Sequence, residues 1–262
     1  DLPWSTEEIN ERLEQFKKLS DRVEKLYATV PSNRKDAYFE MIQYPVQASN
    51  EMNKKMLYAQ FARHTPSDSA SLWKKSDAAY DSIVSLTRRF NSLLDGKWNH
   101  IISTAPRGLI VFDKVKRTAS STALVSSPAP LQLWNGTEHD AVTGQHTVID
   151  GLGHSGKAIY LGKGGTVEYE YRNFRKDSLT VEVCLVPTHA VEGGKLRFAV
   201  STDDREPQVF DCETAEYSEE WKVNILRAQA VKTARFPSGS RKGRIKITAL
   251  DEGVVIDQIR LR

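Results

Sequence analysis

The sequence predicts an α+β protein of two domains, an antiparallel helical bundle followed by a β-sandwich of jelly-roll type. Apolar residues recur at steps of three and four before position 116, and they alternate in short runs after position 130. Only Gly96 and Gly108 of the 15 glycines precede residue 116. The segment 116–130 is rich in Ser, Thr, Ala and Pro, as connectors are. We therefore expect a bundle over 1–115, a linker over 116–130 and a sandwich over 131–262.

The bundle is predicted to contain three long helices. The first begins at a capping box of Ser5 and Glu8, and Pro31 ends it. The second runs from about residue 34 to 62, with a kink or short break near Tyr44 because the following proline removes a backbone hydrogen bond. The third starts after a proline at position 66 and ends at an Asp-Gly pair.

The first helix carries one apolar stripe, and the methionines lie on the second helix. The stripe consists of Ile9, Leu13, Phe16, Leu19, Val23, Leu26 and Val30. Because methionine usually fills irregular gaps in a core, we expect Met41, Met52 and Met56 to be buried.

Ten short β-rich runs follow the connector, separated by Gly, Asn and Asp. Residues 218–227 are expected to form a helical turn instead, and Gly162, Gly164 and Gly165 a hairpin turn between two strands. The predicted strands are 131–134, 146–149, 158–161, 166–171, 179–186, 195–201, 208–212, 230–236, 244–249 and 254–261.

Composition excludes several classes of protein. With 37 basic and 34 acidic residues, the net charge of +3 is too small for a nucleic-acid footprint. No apolar run approaches the ~20 residues that cross a bilayer. The first residue, Asp1, suggests a processed, truncated or subcloned chain. Cys184 and Cys212 are interpreted as buried hydrophobes, with a single disulfide as the alternative.

No catalytic motif stands out, and we predict no cofactor and no metal. His139 and His146 could meet across a turn, but no further ligand lies at metal spacing. The adjacent carboxylates Asp203-Asp204 and Glu219-Glu220 are better explained as a turn and a helix start than as a glycosidase pair, because neighbours on a strand point to opposite faces.

Sugar binding has more support from residue type. Flat aromatic rings pack on pyranose faces, and polar side chains such as Asn224, Arg227 and Asp257 can bond hydroxyls or a uronic carboxylate. The alternative for Tyr169, Tyr171 and Trp134 is the sandwich core. The aromatic candidates are Trp134, Tyr160, Tyr169, Tyr171, Tyr217 and Trp221. A late basic group can be a solvated face or a weak attraction for acidic polysaccharide; it comprises Lys232, Arg235, Arg241, Lys242, Arg244 and Lys246.

Several segments together resemble the C-terminal region of glycoside hydrolase family 115, the xylan α-1,2-glucuronidases. They follow one another in the family's order over nearly the whole chain, with Ala228 standing where asparagine is common. The segments are YPVQASNEMNKKMLYAQ, GKWNH, PRGLIVF, DGLGHSGKAI, EEWKVNILRAQA and ITALDEGVVIDQI.

The resemblance implies a bundle and a sandwich that follow an (α/β) barrel holding the catalytic carboxylates. The chain alone is then not expected to be catalytic. Matching motifs make Tyr217, Trp221, Asn224 and Arg227 candidates for contacting carbohydrate at the barrel mouth, with His154 as an addition. The implied partners are glucuronoxylan or another acidic plant polysaccharide, the barrel of the same enzyme and a homodimer, and the implied location is secreted or periplasmic.

Two other functions remain open at this point. The chain could be a free-standing carbohydrate-binding module for acidic plant polysaccharide. It could also be an oligomerisation module in which the apolar stripe of the first helix packs on another subunit.

Overall fold

A computed structural model describes residues 1–2, 4–118, 129–172, 174, 177–193, 195–203, 205–237 and 241–262. The chain divides into two compact units, Asp1–Ser127 and Pro128–Arg262. Most of the predicted linker lies outside the described residues, so its boundaries stay a prediction. Within the described ranges, no helix is long and apolar enough to cross a membrane.

The first unit is a helical bundle, as predicted. Its elements are α1 (Thr6–Thr29), a 3-10 turn (Ser32–Arg34), α2 (Lys35–Tyr38), a π-helical turn (Phe39–Gln43), α3 (Tyr44–His64), a 3-10 turn (Pro66–Asp68), α4 (Ser69–Gly96) and two 3-10 turns (Pro106–Gly108 and Ile110–Phe112). Helix α1 begins at the predicted capping box, in which Ser5 and Glu8 satisfy each other's backbone N–H groups.

The long helices are antiparallel, as contacts between their ends show. The Leu2 backbone, just before α1, exchanges two hydrogen bonds with Gln60 near the end of α3. Tyr44 at the start of α3 lies 3.1 Å from Thr87, hydroxyl to hydroxyl, late in α4. These polar pairs fix the register of helices whose apolar contacts alone would permit sliding.

The second helical stretch continues through Pro45 without a break, and its irregularity lies just before Tyr44, close to the predicted kink or short break. The chain widens there into the π-helical turn Phe39–Gln43, which lets proline occupy the first turn of α3, where its missing N–H costs little. Phe39 and Met41 are two residues apart within this turn and lie on different sides of it. Phe39 is buried, and Met41 is 72% exposed.

The prediction of a methionine core is thus wrong for Met41, and Met52 and Met56 are only half-buried. The stripe of α1 is likewise incomplete. Ile9 and Val23 are buried, whereas two of its leucines, at positions 19 and 26, remain exposed. The interior of the bundle contains polar side chains in their place, among them a lysine on α3.

Lys55 is fully buried and ties a distant segment to the helices. Its Nζ donates hydrogen bonds to the backbone oxygens of Val111, at 2.7 Å, and Asp113, at 2.9 Å. Burial lowers the pKa of the Lys55 ammonium, although the charge of Asp113 opposes that shift. Two carbonyl acceptors make the buried cation tolerable.

The second unit is a sandwich of two antiparallel sheets. Its strands are β1 (Gln132–Asn135), β2 (Ala141–Thr143), β3 (His146–Asp150), β4 (Lys157–Leu161), β5 (Thr166–Tyr171), β6 (Ser178–Leu185), β7 (Lys195–Thr202), β8 (Gln208–Glu213), β9 (Ala230–Pro237), β10 (Gly243–Ala249) and β11 (Val254–Leu261), with helix α5 (Glu219–Arg227) before β9. One sheet has the order β3-β4-β11-β6-β9 with β1 added on β11, and the other has the order β2-β5-β10-β7-β8.

The ten predicted strands and the predicted helical turn are confirmed to within about two residues at each end. Strand β2 was missed, because three residues are too few to show alternation. Alternating side chains of both sheets form the core, which includes Tyr169 and Tyr171. Cys184 and Cys212 are buried thiols, as predicted.

The prediction of a hairpin at residues 162–165 is wrong. A turn does form, since the Gly165 N–H donates to the Gly162 oxygen at 2.8 Å. However, β4 pairs with β3 and β11, whereas β5 pairs with β2 and β10. The glycines therefore carry the chain from one sheet to the other, a long-range choice that local sequence does not encode.

Replacing Lys55 should destabilise the bundle. Lys55→Met deprives two carbonyls of a charged donor and should lower the free energy of unfolding of the helical unit by about 2 kcal/mol. Urea unfolding followed by circular dichroism at 222 nm measures this loss. Lys18→Met, whose side chain is exposed on α1, is the matched control and should change stability little. Equal stability of the two variants would contradict the anchoring role.

Candidate functional site

The candidate site is organised by a β-bulge in β11. The pairing of β11 with β6 shifts register between Ile256 and Gln258. At the same place the neighbour on the other side of β11 changes, from β4 at 254–256 to β1 at 258–261. The bulge frees Asp257 from the alternation of the sheet. Its side chain is fully buried, yet it lies beside polar partners from two other segments.

The Asp257 carboxylate accepts three hydrogen bonds. The His154 backbone N–H donates to Oδ1 at 2.8 Å, and His154 Nδ1 lies 2.7 Å from Oδ2. Gln229 Nε2 donates to the same Oδ2 at 2.6 Å, and Arg260 donates to the Gln229 oxygen at 2.9 Å. A side chain on Gly153 would come within 2.4 Å of Oδ1, so only glycine permits this approach.

These contacts determine the ionisation of Asp257. Burial alone raises its pKa, but hydrogen bonds from the His154 ring and backbone, the charge of His154 and the bond from Gln229 outweigh burial. The pKa of Asp257 therefore lies below its ordinary value. The carboxylate is an anion at neutral pH and orients the His154 ring with Nδ1 toward it.

Helix α5 leads directly into this network. Ser218 caps its N-terminus by accepting a hydrogen bond from the Trp221 N–H. Ala228 ends it in the left-handed conformation, at φ 56°, which asparagine tolerates better than alanine does. The N–H groups of Ala228 and Gln229 both donate to the Asn224 oxygen. This C-cap positions Gln229 for Asp257.

An aromatic cluster lies at the other end of α5. Trp221 packs beside Tyr217 on one side and His189 on the other, with ring centroids 6.1 and 6.3 Å apart. Tyr217 is 74% exposed, His189 is exposed and Trp221 is half-buried. The three rings offer adjacent faces at the surface, the arrangement that suits a sugar ring.

The structure therefore separates the five predicted site residues. Tyr217 and Trp221 belong to the aromatic cluster, and His154 belongs to the network around the buried aspartate. Asn224 lies on the buried face of α5 and lines a small cavity next to Trp221, so its side chain is not presented to a polymer. Arg227 is half-buried in the last turn of the helix.

The other aromatic candidates lie in the fold rather than in a site. Tyr169 is fully buried, donates a hydrogen bond to the Gly136 oxygen at 2.8 Å and lies near Trp134. Tyr171 is also buried in the core, and the hydroxyl of Tyr160 bonds the Glu252 carboxylate. The core interpretation is thus confirmed for the residues at period two.

Two of the six late basic candidates are paired with carboxylates. Lys232 pairs with Glu220 at 2.8 Å, and Arg244 reaches both Glu168 and Glu170. Glu219 and Glu220 lie in the first turn of α5, as expected for a helix start. Asp204 lies outside the described residues.

The two histidines at positions 139 and 146 are close enough to interact. Burial lowers the pKa of His139, the neighbouring His146 lowers it further, and Asp140 opposes both. Among the described residues no group of three or more His, Cys, Asp or Glu side chains is arranged to hold a metal ion.

Sequence reasoning missed Gln229, Arg260 and His189. Gln229 lies between α5 and β9, far along the chain from Asp257, so no local spacing connects the two. Arg260 lies on β11 itself, but its bond to Gln229 forms only in the folded sheet. His189 follows β6 in a loop, and its only signal was the general preference of loops for functional residues.

Comparison with protein families matches residues 136–262 to the Glycosyl hydrolase family 115 C-terminal domain. Among solved structures, a family GH115 4-O-methyl-α-glucuronidase with specificity for decorated arabinogalactans matches 100% of this chain at 45% identity and a TM-score of 0.86. The chain spans 34% of that protein.

Two distant similarities involve about half of the chain. One is to an exo-β-1,3-galactanase from Phanerochaete chrysosporium, at 16% identity, a TM-score of 0.39 and coverage of 50% of this chain and 29% of that one. The other is to a family 35 carbohydrate binding module from Clostridium thermocellum, at 10% identity, a TM-score of 0.38 and coverage of 50% and 97%. Neither is close enough to define function. No curated protein matches the chain.

The sandwich is a domain of the glycosyl hydrolase class. Residues 136–262 are the C-terminal domain of glycosyl hydrolase family 115, and the family predicted from the sequence is confirmed.

The Asp257 network should make the sandwich sensitive to acid. Because the folded pKa of Asp257 is lowered, its stabilisation is complete above the unfolded pKa of ~4 and is lost as the pH falls through the folded value. Asp257→Asn should therefore cost about 2 kcal/mol at pH 7, with a smaller difference from the wild type at pH 3. Urea unfolding at both pH values measures this.

Asp150→Asn, at a highly exposed carboxylate of β3, is the control and should behave as the wild type at pH 7. A loss for Asp257→Asn that is the same at both pH values would contradict the ionised state of Asp257.

Proposed function

We propose that this chain is the bundle and sandwich region of a family 115 α-glucuronidase, and that it supports a catalytic barrel located elsewhere in the enzyme. The observation that carries the proposal is the match of both units, in the same order, to a solved glucuronidase at 45% identity. The match occupies only 34% of that enzyme, which leaves room for a barrel of roughly 250 residues.

The chemistry of the described residues supports a non-catalytic role. Cleavage of a glycosidic bond needs two carboxyl groups about 5–10 Å apart at a sugar-binding pocket. Asp257, the one carboxylate of the candidate site that is fully buried, is engaged by three hydrogen bonds within the sandwich. We propose that this region positions the catalytic barrel and the polysaccharide substrate.

Adding this chain in trans should raise the activity of a barrel-bearing fragment. We expect the N-terminal portion of the solved relative to release glucuronic acid faster with the 262-residue chain than with an equal mass of albumin, by severalfold, because association orders the barrel. Release of glucuronic acid is measured over time. The chain alone should release none, and no gain over albumin would contradict the supporting role.

Two polysaccharides are candidate substrates of the whole enzyme. The family as a whole suggests glucuronoxylan, whereas the solved relative is specific for decorated arabinogalactans. Both are plant polymers that carry acidic sugar side chains, so we propose a secreted or periplasmic enzyme that removes glucuronic acid from one of them. The reconstituted enzyme should be assayed on both.

We further propose that the aromatic cluster of Tyr217, Trp221 and His189 contacts the polysaccharide. Its support is the exposure of adjacent ring faces on a capped helix. The same cluster would also serve the alternative function, a free-standing carbohydrate-binding module. The supporting function predicts that a barrel-bearing fragment gains activity from the chain, whereas the free-standing module does not.

Removing the Tyr217 ring should weaken polysaccharide binding. Tyr217→Ala should lower the affinity of the full chain for soluble glucuronoxylan or arabinogalactan roughly fivefold, equivalent to about 1 kcal/mol of ring contact. Affinity gel electrophoresis measures the change. Tyr217→Phe keeps the ring and is the matched control. Equal retardation of the alanine variant and the wild type would exclude Tyr217 from the contact.

A further inference from the structure

Three consecutive apolar side chains of the helical unit are exposed. Leu109 is 50%, Ile110 79% and Val111 45% exposed. Leu109 joins the two 3-10 turns that follow α4, and Ile110 and Val111 belong to the second of those turns. We call these three residues the apolar ridge. Isolated exposed apolar residues are ordinary, but a run of three in a folded protein indicates a surface that something covers.

The backbone beneath the ridge is held in place. Buried Lys55 donates to the oxygens of Val111 and Asp113, and the Asp113 N–H donates to the Ile110 oxygen at 3.0 Å. Farther along, Lys114 and Arg117 both pair with Asp77 of α4, at 3.5 and 2.8 Å.

This anchoring is costly, which argues against an incidental loop. Desolvating the Lys55 ammonium lowers its pKa, and the opposing contributions from this segment are the carbonyls of Val111 and Asp113 and the charge of Asp113. Val115, four residues after Val111, packs against the bundle core. The same segment therefore places one apolar side chain against the bundle and leaves those of the ridge exposed. The ridge is thus presented rigidly with its apolar side chains outward, a preorganised contact surface.

The length of the solved family member indicates which polypeptide covers the apolar ridge. The chain matches 34% of the solved glucuronidase, so about two thirds of such an enzyme is polypeptide outside the described structure. We propose that the apolar ridge docks into an apolar groove on that remaining, barrel-bearing part. This inference rests on the proposed function, because its occupant is the rest of the same enzyme.

The test is binding between the full 262-residue chain and the barrel-bearing portion of the solved relative, measured by biolayer interferometry. Ile110→Asp, which places a charge in the docked ridge, should weaken binding at least tenfold, and Ile110→Ala, which only loses area, should weaken it about threefold. Met41→Asp is the matched control, since Met41 is 72% exposed in the same unit but off the ridge. It should bind as the wild type does.

The outcomes separate the two proposals. If the wild type binds and Ile110→Asp binds equally well, with circular dichroism showing both folded, the ridge proposal is overturned and the supporting function stands. If the wild type does not bind, both are overturned. Light scattering of the chain alone is the last arm: a dimer that Ile110→Asp dissolves would make a second copy the occupant and overturn the proposed one.

Discussion

The sandwich depends on one buried carboxylate. Asp257 lies at the bulge where β11 exchanges one neighbouring strand for another, and the core-facing side of the strand changes there from Val254 and Ile256 to Ile259 and Leu261. A change of phase in a central strand leaves polar groups inside the fold. The hydrogen bonds of His154 and Gln229 to Asp257 satisfy them. A structural irregularity thereby becomes the point at which three distant segments meet.

That network also sets the position of α5. The helix ends in a left-handed residue, and the next residue, Gln229, is held by Asp257 and Arg260. Its C-terminal end is therefore fixed by buried polar bonds, while its N-terminal end carries Tyr217 and Trp221 at the surface. The two ends differ in their surroundings. The buried end contributes to the stability of the sandwich, and the exposed end carries the rings proposed to contact polysaccharide.

The helical unit uses the same principle with the opposite charge. Buried Lys55 donates hydrogen bonds to two backbone oxygens of a remote segment. Asp257, in contrast, accepts hydrogen bonds from N–H groups. In both units a buried ion fixes backbone that lies outside the long helices and the strands, because charge-assisted hydrogen bonds are strong and directional where water is excluded. The incompletely buried stripe of α1 and the exposed ridge fit a region that works within a larger enzyme.

The sequence by itself determined the fold class, the order of the two units, ten of the strands and the capping box at Ser5, because periodicity and capping are local properties. The family was recognisable through the resemblance of several segments in the same order. It also identified Tyr169 and Tyr171 as core residues through their period-two spacing. Only the tertiary structure decided the rest. Pro45 follows a π-helical turn in which Met41 is exposed, and Gly162–Gly165 joins two sheets, because those outcomes depend on what each element packs against. The Asp257 network was invisible for the same reason. Its members lie up to 103 residues apart, and a β-bulge brings them together.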